Sequence, residues 1–196
     1  MAKKNKIRFN FDPKFQLHRA CCNDNLRPAL GHIFFREGYA YATNAFIAVK
    51  AKLTDICTCD PTSIELLNGY AIHADDFRKL LKYDRIIIEK DGIIRIEDGS
   101  FNITIQLKRE VKEPKEKMEV HGPDVEAVIR GNDEGNEAIK AIGFDASLLN
   151  ELRAAMGLDA EIKLAFRNAN KPIIVSACNK VLDYDVQGII MPRLVD

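Results

Sequence analysis

The densest reactive chemistry in this sequence is cationic. Arg78, Lys79 and Lys82 stand at i, i+1 and i+4, and Arg85 follows three residues later. Basic side chains on one helical stretch can meet phosphate oxygens through charge alone, without reading bases. Arg153 adds a single cation to a second helical stretch, and Lys3, Lys4, Lys6 and Arg8 make a basic N-terminal arm. On an exposed helix face the same residues serve equally as solvated surface, and the sequence leaves both readings open.

Covalent chemistry has little support. The chain has no G-x-S-x-G, no P-loop, no G-x-G-x-x-G and no H-E-x-x-H. The histidines, His18, His32, His73 and His121, are scattered, and no two are three or four residues apart. The acidic pairs Asp75/Asp76 and Asp183/Asp185 are better explained as a helix start and a polar bend. Cys21, Cys22, Cys57, Cys59 and Cys178 lack the paired C-x-x-C spacing of a zinc site, so they read as reduced, buried small hydrophobes. The expectation is a protein that binds and does not catalyse, with no metal and no cofactor.

With 196 residues the chain can bury a real core, as one large domain or two small ones. No apolar run approaches the ~20 residues needed to span a membrane. "MAKKNKIRFNF" has charge but no apolar stretch behind it, so the cytoplasm is the expected compartment. Twenty-nine basic side chains balance 29 acidic ones. That excludes a surface uniformly coated in positive charge but not one confined to a single face.

These residues must be positioned by a recurring plan. Residues 29–50 read as a hairpin or meander: Ile33, Phe34 and Phe35 lead into "REGY", and Tyr39, Tyr41 and Thr43 alternate on the way out. Residues 54–69 look like a connection. Asp75 is the expected N-cap of a helix over 75–83, with Phe77, Leu80 and Leu81 on its apolar face. Strands near 85–89, 93–97 and 101–107 follow, separated by Asp91-Gly92 and Asp98-Gly99 turns. Residues 109–140 are mostly polar and read as a linker with one ordered piece at 123–129. Asp145 then caps a helix whose apolar face is Leu148, Leu149, Leu152, Ala155 and Met156, with Gly157 as its stop. Three strands close the chain, ending on the apolar "GIIMPRLVD", which should be docked or should build a surface that something else uses.

Set side by side, "YAIHADDFRKLLKYDRIIIEKDGIIRIEDGSFNITIQL" and "KAIGFDASLLNELRAAMGLDAEIKLAFRNANKPIIVSA" share one plan. Each is a strand ending in A-I, a capped helix and an antiparallel meander, a pattern of divergent repeats. These units resemble the sliding DNA clamp family, in particular the bacterial polymerase III beta subunit. "LRPALGHIFFREGYAYATNAFIAV" is similar to a clamp strand pair, and "YAIHADDFRKLLK" to the stretch entering a clamp helix. "HGPDVEAVIRGNDE" resembles the F-P-D-Y-x-x-V-I-P connection, and "IGFDASLLNELRAAMG" with "MPRL" resembles the last half-domain and its M-P-x-R-L end. Asn44, Ala45 and Phe46 stand where the family has Asp, Gly and His. Arg130 replaces a proline, and "MPRL" is one residue short.

The resemblance implies an α+β, DNA clamp-like fold of repeated units, each a helix packed on an antiparallel β-meander. Residues 1–108 would form a domain of two half-units, the first with a weak helix at "KFQLHRACC". Residues 109–140 would be the connection and 141–196 a further half-unit. It also implies a homo-oligomer threaded by duplex DNA, touching its backbone through Arg78, Lys79, Lys82, Arg85, Arg153, Lys3 and Lys4. Polymerase and clamp-loader-like partners would dock short peptides in an apolar groove. Carried over by position, that groove is Pro172, Ile173, Ile174, Met191, Pro192, Arg193 and Leu194. A non-ring clamp-fold adaptor and a one-sided DNA-binding regulator stand as alternatives.

Overall fold

The computed structural model describes residues 9–22, 24, 26–58, 61–98, 101–130, 142–158, 161–168, 170–177 and 185–193. Lys3, Lys4, Lys6, Arg8, Cys59, Cys178, Asp183 and Leu194 lie outside them. The chain opens with β1 (Asn10–Phe11) and a 3-10 turn at Leu17–Ala20, then runs through β2 (His32–Arg36), β3 (Tyr39–Thr43) and β4 (Ile47–Lys52). Next come α1 (Leu53–Ile56), β5 (Cys57–Thr58) and α2 (Pro61–Leu67), where the sequence reads only as a connection. The first repeat is β6 (Tyr70–His73), α3 (Ala74–Leu80), β7 (Ile86–Glu89), β8 (Ile93–Asp98) and β9 (Phe101–Gln106). The polar stretch after it carries β10 (Lys108–Glu110), β11 (Glu119–Val120) and α4 (Val125–Arg130). The last repeat is α5 (Ala146–Ala155), β12 (Ile162–Ala165), β13 (Ile173–Ala177) and β14 (Val186–Ile190).

Nine of these strands form one sheet in the order β11-β10-β6-β2-β3-β4-β14-β13-β12, antiparallel except for the β10–β11 pair. The last strand, β14, slots between β4 and β13, so that Ile190 faces Ile47 and Val186 faces Ala51 across the β4 ladder. Strands buried on both faces read as near-continuous apolar runs, and β14 is buried at every position except Gln187. A three-stranded sheet, β7-β8-β9, is turned at Asp91 and Gly92, whose φ of 64° and 70° match the turn that Asp-Gly favours.

Side-chain alternation divides the large sheet into two faces. Ile33, Phe35, Val49, Ile72 and Ile190 point into the main core, with Phe77 of α3 and Leu152, Ala155 and Met156 of α5. Phe34, Tyr41, Ala48, Ala71 and Ile189 point the other way, into a smaller core closed by Val120 and by Val125 of α4. Each large apolar side chain buried in this way contributes about 1.5–3 kcal/mol relative to exposure. The helical layer therefore covers one face, and α4 covers part of the opposite one.

Three local expectations change. The N-cap of α3 is His73, not Asp75: the Asp75 N–H donates to His73 Nδ1 at 3.3 Å. A ring nitrogen two residues earlier does the capping, which leaves Asp75 and Asp76 in the first turn where they favour the helix dipole. The helix ends at Leu80 and not at residue 83, so Lys82 and Arg85 lie beyond it. The weak helix expected at "KFQLHRACC" is only the 3-10 turn Leu17–Ala20, because Gln16 makes no side-chain cap and Cys21 is already extended, at φ −96° and ψ 163°. The Asp145 cap of α5 is as expected, its Oδ1 accepting from the Ser147 N–H at 2.9 Å.

Candidate functional site

The helical face is built around the short 3-10 turn, which packs against both α3 and α5. Phe77 and Leu80 anchor α3 inward and leave Arg78 and Lys79 on its outer side. Arg19, on the turn, holds Glu151 of α5 through two nitrogens at 2.7 and 3.0 Å. Arg78 and Arg19 stand close enough to His18 to lower its pKa, secondary to the burial that lowers it most. Lys79 is already paired, its Nζ lying 2.7 Å from Asp76, which raises the ammonium pKa. Arg78, Lys82, Arg85 and Arg153 make no ion pair among the described residues. Four cations thus remain available on or beside α3 and α5, while Lys79 and Arg19 are neutralised locally.

On the opposite face lies an apolar groove of about 260 Å³. Its floor is Ala48 of β4 with Ile189 and Met191 at the end of β14; one wall is Pro123, Val125 and Val128 at α4, and the other is Leu30 and Ala45. Of the residues carried over by position, Met191 lines this groove. Ile173 is fully buried in the main core, Pro172 is buried, and Ile174 pairs with Ile189 across the ladder without lining the groove. Pro192, next in the chain, is half-buried. Arg193 is exposed, donating its backbone N–H to the Gly143 carbonyl at 2.7 Å and reaching Asp145 at 3.4 Å.

The groove residues that sequence reasoning misses come from the β3–β4 turn and from α4. Both strings, "YATNAFIAV" and "HGPDVEAVIR", are conspicuous, yet nothing in them says that they converge on Met191. The turn itself is tightly made. Asn44 Oδ1 accepts from the Phe46 and Ile47 N–H groups, both at 2.9 Å, and Thr43 Oγ1 donates to the Ile47 carbonyl at 2.7 Å. It holds Ala45 at φ 74°, a left-handed conformation that costs a non-glycine residue about 1 kcal/mol or more. The Phe46 carbonyl accepts from the Met191 N–H at 2.8 Å, tying turn to floor, and the Phe46 ring is 54% exposed.

A helical layer on one side of an extended, mostly antiparallel sheet is an architecture that this chain shares with the sliding DNA clamps. Among solved structures, the C. crescentus beta sliding clamp is similar over all of this chain and 68% of its own, with a TM-score of 0.61 at 14% identity. The DNA polymerase III beta subunit of Thermotoga maritima is similar over 97% of this chain and 65% of its own, with a TM-score of 0.55 at 13% identity. The Helicobacter pylori beta clamp, solved with a bound DNA ligase peptide, gives 0.58 at 11% identity over all of this chain and 68% of its own. The chain therefore spans about two-thirds of the length of these clamps. No protein-family model and no curated protein matches the sequence. No helix among the described residues is long and apolar enough to cross a membrane.

Proposed function

We propose that this chain is a sliding-clamp-like processivity factor: copies join into a ring around duplex DNA and tether partner proteins through the apolar groove. The observation that carries the reading is the two-sided sheet. Its helical face bears Arg78 and Arg153, and its other face bears a groove with Met191 on the floor. The four available cations suit loose contact with phosphates, which allows sliding and needs no base readout. Zero formal net charge is compatible with this, because only the inward surface needs to attract DNA. The groove's occupant is a short apolar peptide segment of a partner, the kind of ligand represented by the DNA ligase peptide on the H. pylori clamp. Methionine on the floor suits several related motifs, since its side chain repacks easily.

A second copy would meet this one at open strand edges. Among the described residues, β12 ends the nine-stranded sheet without a further partner, and such an edge pairs readily with another chain. Light scattering at micromolar concentration should return an oligomer. The protein should stay on a closed circular duplex through gel filtration and leave once the circle is cut. A stable monomer, or equal retention on circular and linear DNA, would rule out the ring and leave the groove-bearing adaptor.

The Arg78→Ala, Lys82→Ala double variant addresses the DNA face. If both side chains meet phosphates, the slope of log affinity against log salt should fall by about 0.9 for each phosphate no longer neutralised. An unchanged slope would mean that these cations are solvated surface.

A further inference from the structure

One wall of the groove is a helix of only 6 residues, far below the ~12–15 at which isolated helices become even marginal. Something must therefore hold α4 in place. Val125, 3% exposed, and the partly buried Ile129 anchor it to the smaller core, but Val128, which lines the groove, is 42% exposed and anchors little. Further ties are polar. Glu126 Oε2 lies 2.8 Å from Lys50 Nζ on β4, and its carboxylate also accepts from the Tyr41 hydroxyl of β3 at 3.2 Å. The two charged side chains are only 24% and 15% exposed, and Lys50 Nζ sits 4.3 Å over the Tyr39 ring. Tyr39 in turn donates its hydroxyl to Asp185 at 2.9 Å, just before β14.

A second tie holds the start of the wall. Arg36 of β2 grips Glu110 through Nε at 2.8 and 2.9 Å, and its Nη1 donates to the Pro123 carbonyl at 3.1 Å. Gly122 beneath this pair has no room for a Cβ, which would meet Arg36, Glu110 and Phe34. Pro123 and Glu126 thus bracket Val125: Pro123 is held through its carbonyl by the Arg36 of one half-buried charge pair, and Glu126 is itself half of another.

We propose that Lys50, Glu126 and Tyr41 form the positioning device of the groove. They hold α4 upright so that Val125 and Val128 face Ile189 and Met191, without themselves touching the bound peptide. This rests on the docking reading above. The physical reason is asymmetric: while the pair is intact the wall is ordered, and removing one charge leaves the other half-buried and uncompensated, so α4 detaches locally. The device sits on the far side of α4 from the groove, in a separate recess lined by Arg36, Tyr39 and Lys50, and only Asp124 lines both.

The test uses the full chain with fluorescein-labelled probes: the DNA ligase peptide, and hexapeptides carrying Leu or Phe at two anchor positions. Glu126→Gln and Lys50→Met should each weaken binding about tenfold, and Tyr41→Phe less. The exchanged pair Lys50→Glu, Glu126→Lys should recover most of the loss. Amide hydrogen exchange in α4 should quicken in Glu126→Gln while the amides of β3 and β4 stay protected. Wild-type affinity in Glu126→Gln, with binding lost in Met191→Glu, would overturn the positioning role and leave the docking reading standing. Weaker binding with unchanged α4 exchange would also overturn it, because Glu126 would then contact the peptide directly. If no probe binds the wild-type chain, the docking reading fails and this inference with it.

Discussion

Phe77→Ala is expected to remove about 3–5 kcal/mol of stability, read as a lowered denaturant midpoint with little change in slope. Phe77 is fully buried, and its ring centroid lies 4.8 Å from that of Phe11, at a tilt of 57°. It is the main inward anchor of a helix of only 7 residues, which cannot persist without its packing. The loss includes the transfer energy of the ring and the cavity left between α3, β1 and the 3-10 turn. Lys79→Ala, on the exposed side of the same helix, should leave the denaturant midpoint essentially unchanged, since its pair with Asp76 is solvent-screened. A Phe77→Ala loss below about 1 kcal/mol would mean that α3 is not held by this core. In that case Arg78 and its neighbours would have no fixed surface to form.

The second large effect is on pH dependence. His32 on β2 is 3% exposed, and its pKa is lowered to about 4, first by burial and then by the positive charge of Lys108. Its Nδ1–H donates to the Pro28 carbonyl at 2.8 Å, a bond that partly opposes the shift, and Nε2 has no partner among the described residues. The folded pKa lies below the unfolded value of about 6.5, so the unfolded chain binds the proton more tightly. The neutral imidazole's contribution is therefore complete above pH ~6.5 and declines as pH falls towards ~4. The loss amounts to about 3 kcal/mol at the lower end. The check is to compare wild type with His32→Leu by denaturation between pH 7 and pH 4. The gap between the two curves should narrow, or reverse, as pH falls; parallel curves would show that His32 does not titrate with unfolding. His18, whose pKa burial also lowers, acts in the same direction and remains in both proteins.

Much of the architecture is legible in local pattern. The Asp91-Gly92 turn, the β7-β8-β9 meander and the Asp145 cap all follow from short-range chemistry that acts within a few residues. Apolar spacing alone makes the helix over 75–83 too long, because Leu81 continues the pattern while the chain leaves the helix at Leu80. The His73 cap escapes the pattern because an imidazole nitrogen is an uncommon cap and Asp75 is the obvious one. Residues 109–130 look like a linker because their composition is polar. They nonetheless supply β11 and α4 and most of β10, and their few apolar residues include Val120 and Val125, which bury.

By itself the sequence determined where α3, α5 and the strands of the hairpin and the two meanders lie, which side of each helix is apolar, and that a repeated helix-plus-meander unit resembles a sliding clamp. Periodicity and turn chemistry are local, and they survive without knowledge of neighbours. Only the tertiary structure decided that β14 lies against β4, and with it that Met191 meets the β3–β4 turn and α4 from distant parts of the chain. Strand order depends on which of many compatible apolar edges pair, and no single strand encodes that choice. The same packing buried Ile173 and left Met191 at the groove, though both sit in apolar runs of similar appearance.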